Sequence, residues 1–114
     1  MKNQYTLEKA MIDIINKAEY TDVSVFRFYK RDKNVTCVAK VGSDHHMNPT
    51  STLVKVGTLP ESYRPPMDVQ APLLWGSYVN VTGMIQILTN GDVKVYASSG
   101  QTNVQPWVTF TYAL

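Results

Sequence analysis

The residues able to do chemistry are few. Glu61, Asp68 and Asp92 are the carboxylates of the distal half, and two of them brought together would make a glycosidase acid/base pair. Three acids over that length are also what an ordinary wet surface carries, so hydrolysis is disfavoured and the chain is expected not to be an enzyme. Cys37 alternates with Val35 and Ala39 on an apolar face, the place of a small buried hydrophobe rather than of a nucleophile. Asp44-His45-His46 is the one cluster with metal-ligand types. Adjacent histidines point to opposite sides of an extended backbone, so one chain offers one ligand, and only symmetry copies would supply a set. The glycines are isolated, with no phosphate-cradling loop, and neither a cofactor nor a metal is expected. Arg27, Lys30, Arg31 and Lys33 lie next to Phe26, Phe28 and Tyr29, a basic hairpin that is either simply solvated or able to hold the phosphates of an anionic polymer.

The aromatic and amide side chains are the better candidates. Trp75, Tyr78, Tyr96, Trp107 and Tyr112 share a charge-poor region with Asn80, Gln101, Asn103 and Gln105. Sugars are bound by stacking on rings and by neutral planar amides. Most of these rings belong in a core. Trp107, which follows a loop at 101–106, Tyr96, whose strand neighbour Val95 faces the other way, and Trp75, after a turn-like Pro72-Leu73-Leu74, are expected near a surface groove, with Asn103 and Gln105 beside them.

These residues must be positioned by a single domain spanning 1–114, since 114 residues bury roughly 65% of the surface of the unfolded chain. With one cysteine there is no internal disulfide, and no window approaches the ~20 apolar residues of a membrane span, so neither an oxidising compartment nor membrane insertion is implied. The net charge of +2 is too small to argue for nucleic acid. Its distribution says more. Residues 1–56 hold nine of the eleven basic residues and six of the nine acids, and the stretches 69–91 and 95–114 have no charged side chain at all. A small domain cannot easily leave that much neutral surface wet, which points to contact between copies of itself.

Leu7, Ala10, Met11, Ile14, Ile15 and Ala18 recur at helical spacing behind Thr6 as N-cap, predicting a helix over 6–19 within an N-terminal segment 1–20. It either lies on its own domain or forms the seam of a short coiled coil. From 21 onward the period is two. Runs around 23–29 and 35–41, 53–56, 68–74, 77–88, 92–97 and 108–112 read as strands, and three prolines in 58–66 mark an edge or crossing segment. Gly83 marks a bulge or a close backbone approach, and Asn90-Gly91 a type I′ hairpin turn. Seven or eight short strands without βα alternation make the chain mainly β: an antiparallel β-barrel or jelly-roll-like sandwich with one N-terminal α-helix.

One ordered set of residues goes further. Leu59-Pro60-Glu61, then Tyr63-Arg64-Pro65, then Gly83-Met84-Ile85-Gln86-Ile87, then Asn90-Gly91 with Val93, and finally Phe110-Thr111-Tyr112 resemble the C-terminal head domain of phage receptor-binding and tail-fibre proteins over 57–114. Ser62 stands where that family often has glycine. The resemblance implies an antiparallel β head that assembles as a homotrimer at the tail tip or baseplate of the virion. It would be made in the host bacterial cytoplasm, contact other tail or baseplate proteins, and bind host cell-wall saccharide. The His, Asp, Trp and Arg constellation that some relatives use for sugar is not found, so the resemblance assigns no receptor site, and residues 1–56 fall outside it.

Overall fold

A computed structural model describes residues 19–40, 47–50, 52–75, 83–97 and 105–114. Among these residues ten strands form three antiparallel sheets: β1 (Glu19–Val23), β2 (Phe26–Arg31), β3 (Asn34–Ala39), β4 (Val54–Thr58), β5 (Val69–Pro72), β6 (Leu74–Trp75), β7 (Gly83–Ile87), β8 (Asp92–Ala97), β9 (Pro106–Trp107) and β10 (Thr109–Ala113). The first sheet has the order β1-β2-β3-β10, the second β4-β8-β7-β5, and β6-β9 is a short ribbon.

Alternation in the sequence explains how the two large sheets meet. On β2, Phe26 and Phe28 are fully buried; on β3, Val35 and Cys37; on β10, Tyr112. Register places Phe28 opposite Cys37 and Cys37 opposite Phe110, so these side chains share one face. The second sheet answers with Ile85, Ile87, Val93 and Val95, all buried to 0% exposure, and both sets belong to one core cluster. Each fully buried Phe or Ile contributes about 1.5–3 kcal/mol relative to leaving it in water. This is a β-sandwich. Among the described residues no ladder joins one sheet to the other, so the barrel is not what forms. The edges explain it: Pro72 ends β5 without an N–H to donate, and β4 carries a register shift between Lys55 and Gly57.

Two expectations about local structure change. The helix expected over 6–19 lies outside the described residues except at Glu19, which with Tyr20 is the start of β1 rather than the end of a helix. Thr21 and Val23 alternate with Tyr20 and Asp22, and the strand's pairing to β2 decides the state of residues that sequence period alone left to the helix. The hairpin at 87–93 is also built differently. Only Gly91 has positive φ, +93°, so both conditions of a type I′ turn are not met. Gly91 N–H donates to Leu88 carbonyl and Leu88 N–H to Asp92 carbonyl, the pattern of a type I turn closed by a glycine bulge. Asn90 acts through its side chain, whose Oδ1 accepts from Asp92 N–H at 3.0 Å. The β1-β2 and β2-β3 hairpins put non-glycine residues in the left-handed region, Ser24 and Asp32, each at φ 54°.

Beyond Thr58, which ends β4 opposite Asp92, the proline segment crosses rather than pairs. It contains a single 3-10 turn, Glu61–Tyr63, with Tyr63 buried. Leu59 N–H donates to Gly91 carbonyl at 2.8 Å, Arg64 Nε donates to Leu59 carbonyl at 3.1 Å, and Tyr112 hydroxyl donates to Tyr63 carbonyl at 2.7 Å. The ordered set of motif residues therefore meets in space: the crossing segment is tied to the β7-β8 turn on one side and to the last strand on the other.

Candidate functional site

The edges of the two sheets, β10 and β5, leave an opening, and the β6-β9 ribbon stands over it. Gln105 sets the ribbon's position. Its Nε2 donates to Lys40 carbonyl and to Pro106 carbonyl, both at 2.8 Å, which fixes the chain leaving β3 to the chain entering β9. Pro106 is buried opposite the backbone of Trp75, and Trp107 pairs with Leu74. The ring of Trp107 is 43% exposed and Leu74 46%. Beneath them is a cleft of about 640 Å³ whose walls include Val38, Phe110, Ala71 and Pro72, with Thr109 at its polar side. Thr109 hydroxyl already donates to Val108 carbonyl at 2.9 Å, leaving its oxygen as an acceptor.

Among the described residues no charged side chain lines this cleft. Its chemistry is adsorption: an indole face and aliphatic walls that take the apolar side of a ring, with a hydroxyl at the rim. The acids that might have made a hydrolytic pair are engaged elsewhere. Asp68 Oδ1 accepts from Thr89 N–H at 3.0 Å, and Glu61 is exposed in the 3-10 turn. Asp92 is held below the ordinary carboxylate range, chiefly by its hydrogen bond with Lys55, against a smaller opposing effect of burial. A general acid needs the reverse shift. Burial pushes the Cys37 thiol up, in keeping with its place in the core.

The five residues expected at the groove are dispersed. Trp107 lines the cleft, and Trp75 stands beside it in the ribbon through its backbone pairing. Gln105 serves the scaffold with its amide nitrogen, while its Oε1 is buried without a hydrogen-bond partner among the described residues. Tyr96 is half-buried on the outward side of the second sheet, opposite Met84, and is not part of the cleft lining. Asn103 lies outside the described residues, as do Asp44, His45 and His46. The apolar walls Val38, Leu74 and Phe110 were not expected at the groove. Val38 lies on β3, Phe110 on the edge strand β10 and Leu74 in the ribbon, and only strand order brings them together.

A second cluster on the outward side of the first sheet was also missed in part. Arg27 Nε and Nη2 donate to Asp22 Oδ1 and Oδ2 at 2.8 and 3.1 Å, and the guanidinium sits 4.2 Å from the Tyr20 ring centroid. The hydrogen bond from Arg27 is the main cause holding Asp22 below its usual range, aided by Lys40 and opposed by burial.

Fold and cleft together define a small β-sandwich domain whose exposed aromatic ribbon covers an apolar opening between sheet edges. Among solved structures, the head domain of phage bIL170, described among the receptor-binding domains of lactococcal phages, has a similar fold: TM-score 0.56, 13% identity, covering 86% of this chain and 99% of that chain. No protein-family model and no curated protein matches. At that identity the likeness is one of fold. It is also wider than the motif residues suggested. Residues 57–114 are about half of the chain, whereas 86% is covered, so part of 1–56 belongs to the shared fold, consistent with β1, β2 and β3 forming the sheet that β10 completes.

Proposed function

We propose that this chain is the receptor-binding head of a phage tail or baseplate protein, a non-enzymatic adhesin that holds host cell-surface saccharide and works as a homotrimer in the virion. The observation that carries this reading is the Trp107 and Leu74 ribbon, left exposed over an apolar cleft on a fold shared with a phage receptor-binding head. Burying a Trp is the ordinary outcome for a small domain; here the residue stays open beside a hollow of about 640 Å³. Weak individual contacts become firm adhesion when three copies engage one polymer. The charge-free stretches 69–91 and 95–114 give copies a surface that costs little to bury. Trp75, Tyr96 and Asn103 are carried into this reading as further contacts, and Gln105, whose amide is held within the scaffold, serves it by positioning the ribbon.

The test is binding of the purified chain to polysaccharide from candidate host walls on a glycan array, with Trp107→Ala beside the parent. Retention by the parent and loss by the variant is the expected result. Silence of the folded parent across all host walls overturns the adhesin and leaves a structural tail component. Release of reducing ends revives an enzyme. Light scattering should give about three times the 12.8 kDa chain mass; a monomer at micromolar concentration overturns the trimer.

A further inference from the structure

The outward side of the first sheet carries a group of side chains that neither the cleft nor the core uses. Register aligns Tyr20, Tyr29, Thr36 and Thr111 in one row across β1, β2, β3 and β10, and Asp22, Arg27, Val38 and Thr109 in the next. Tyr20 and Tyr29 are 52% and 38% exposed, with ring centroids 5.9 Å apart and planes tilted by 55°, so they form an open angle rather than a closed stack. Arg27 lies over the Tyr20 ring, and Asp22 holds it by two parallel hydrogen bonds. The Thr36 and Thr111 hydroxyls are 2.9 Å apart.

We infer that Tyr20, Arg27 and Tyr29 form a binding site for a pyranose bearing an anionic group, a carboxylate or a phosphate. The guanidinium has five N–H donors; Asp22 takes two and the Tyr29 hydroxyl engages another, so two remain on a fork whose plane is already fixed. Fixing the fork removes much of the ordering cost that an exposed arginine otherwise imposes on binding. Charge complementarity sets the ligand class. Lys40 Nζ is 3.5 Å from Asp22 Oδ2, so one carboxylate faces two cations and the cluster keeps one net positive charge. A neutral sugar would use the rings and leave that charge unanswered; a bare anion would use the charge and leave the rings unused. The site goes beyond the cleft reading and does not need it. Val38 and Thr109, which continue the Arg27 row, also line the Trp107 cleft. With strands about 4.8 Å apart, a ligand of two or three rings would reach from one to the other.

The test is NMR titration of the full chain, following the Arg27 Nε–H and the Tyr20 ring. The probes are methyl glucuronoside and glucose 1-phosphate, with methyl glucoside and inorganic phosphate as controls. Saturable shifts with dissociation constants on the order of millimolar are expected for both anionic sugars, weakening several-fold when salt is raised to half molar. Arg27→Gln and Tyr20→Leu, each checked for an intact amide spectrum, should weaken binding by roughly tenfold. Trp107→Ala should leave the shifts in place. If only one anionic sugar binds, the anion's source is settled and the site stands. Absence of saturable shifts, equal binding of methyl glucoside or inorganic phosphate, insensitivity to Tyr20→Leu, or tighter binding of a single-stranded oligonucleotide overturns it.

Discussion

The segment from Leu59 to Arg64 and the ribbon from Leu74 to Trp107 are both irregular pieces laid against the same sandwich, yet they are built on opposite terms. The first is closed. Leu59 and Tyr63 are 1% and 3% exposed, and three hydrogen bonds fix the segment to Gly91, to itself and to Tyr112. The second is open, with two paired positions in each strand and its two largest described side chains nearly half exposed. Order in the first is supplied by partners; in the second the hollow below is left unfilled.

The sharpest way to break the closed region is at Gly91. A Cβ there would sit 2.8 Å from Leu59 carbonyl oxygen and 2.6 Å from Arg64 Nε, on a backbone with φ +93°. Gly91→Val therefore combines left-handed strain for a β-branched residue with a clash against main chain, and should cost about 3 kcal/mol. Denaturant unfolding measures it. A cost below ~1 kcal/mol would mean the crossing segment is not held where the hydrogen bonds place it.

Tyr112→Phe is a gentler cut at the same place. It removes only the hydroxyl that donates to Tyr63 carbonyl and leaves that buried acceptor without a partner, for an expected loss of about 1–2 kcal/mol. The hydroxyl of Tyr63 is itself buried without a partner among the described residues, so Tyr63→Phe should be neutral or slightly stabilising. Opposite signs for two Tyr→Phe changes in one cluster would be hard to obtain from any other arrangement. The same unfolding measurement reads both.

The closed region was legible in the sequence because its residues are idiosyncratic. Prolines, an Asn-Gly pair and a terminal aromatic alternation come in an order that few folds share, and each has a local physical reason. Gly83 was legible too: a Cβ there would lie 2.7 Å from Leu73 carbonyl oxygen. The turn type at Gly91 was not, since a two-residue and a three-residue hairpin loop can both use Asn-Gly and only the pairing of Leu88 with Asp92 decides. Glu19 and Tyr20 continued a helical pattern in sequence, and the loss of that pattern is a tertiary effect of the β2 partner. The open region was legible at Trp107 and at its ribbon neighbours Trp75 and Gln105. Its other walls are ordinary, mostly apolar residues that become a site through sheet order, and the Asp22-Arg27 pair required knowing that Ser24-Val25 is a turn.

Charge gives a comparison on the outward faces. Asp22 on the first sheet and Asp92 on the second are both held below the ordinary carboxylate range, by Arg27 and Lys55 respectively. A folded-state value below the unfolded one, roughly 3.9, means the stabilisation is present above that pH and is lost as pH falls through the folded values. Asp22→Asn and Asp92→Asn should each flatten the stability curve below about pH 4, and leave its shape at neutral pH unchanged. Both groups are close to solvent, so the effect is small and shrinks further in salt. A curve of unchanged shape in both variants would show these ion pairs to be energetically idle.

A small effect on stability is also expected at the most conspicuous side chain. Trp107→Ala removes a large ring, and if that ring were part of the core the cost would be about 3–5 kcal/mol. At 43% exposure, in a ribbon whose neighbours Pro106 and Val108 do the burying, the loss should stay under about 1 kcal/mol. Binding should respond in the opposite proportion. A stacked ring facing an apolar hollow is the principal contact the cleft offers, so the variant should keep its unfolding midpoint and lose adhesion to host wall. If stability falls by several kcal/mol instead, the ribbon is a second closed region, and the difference between the two regions disappears. If stability and adhesion are both unchanged, the ring is exposed for some other contact, and the cleft ceases to be the site.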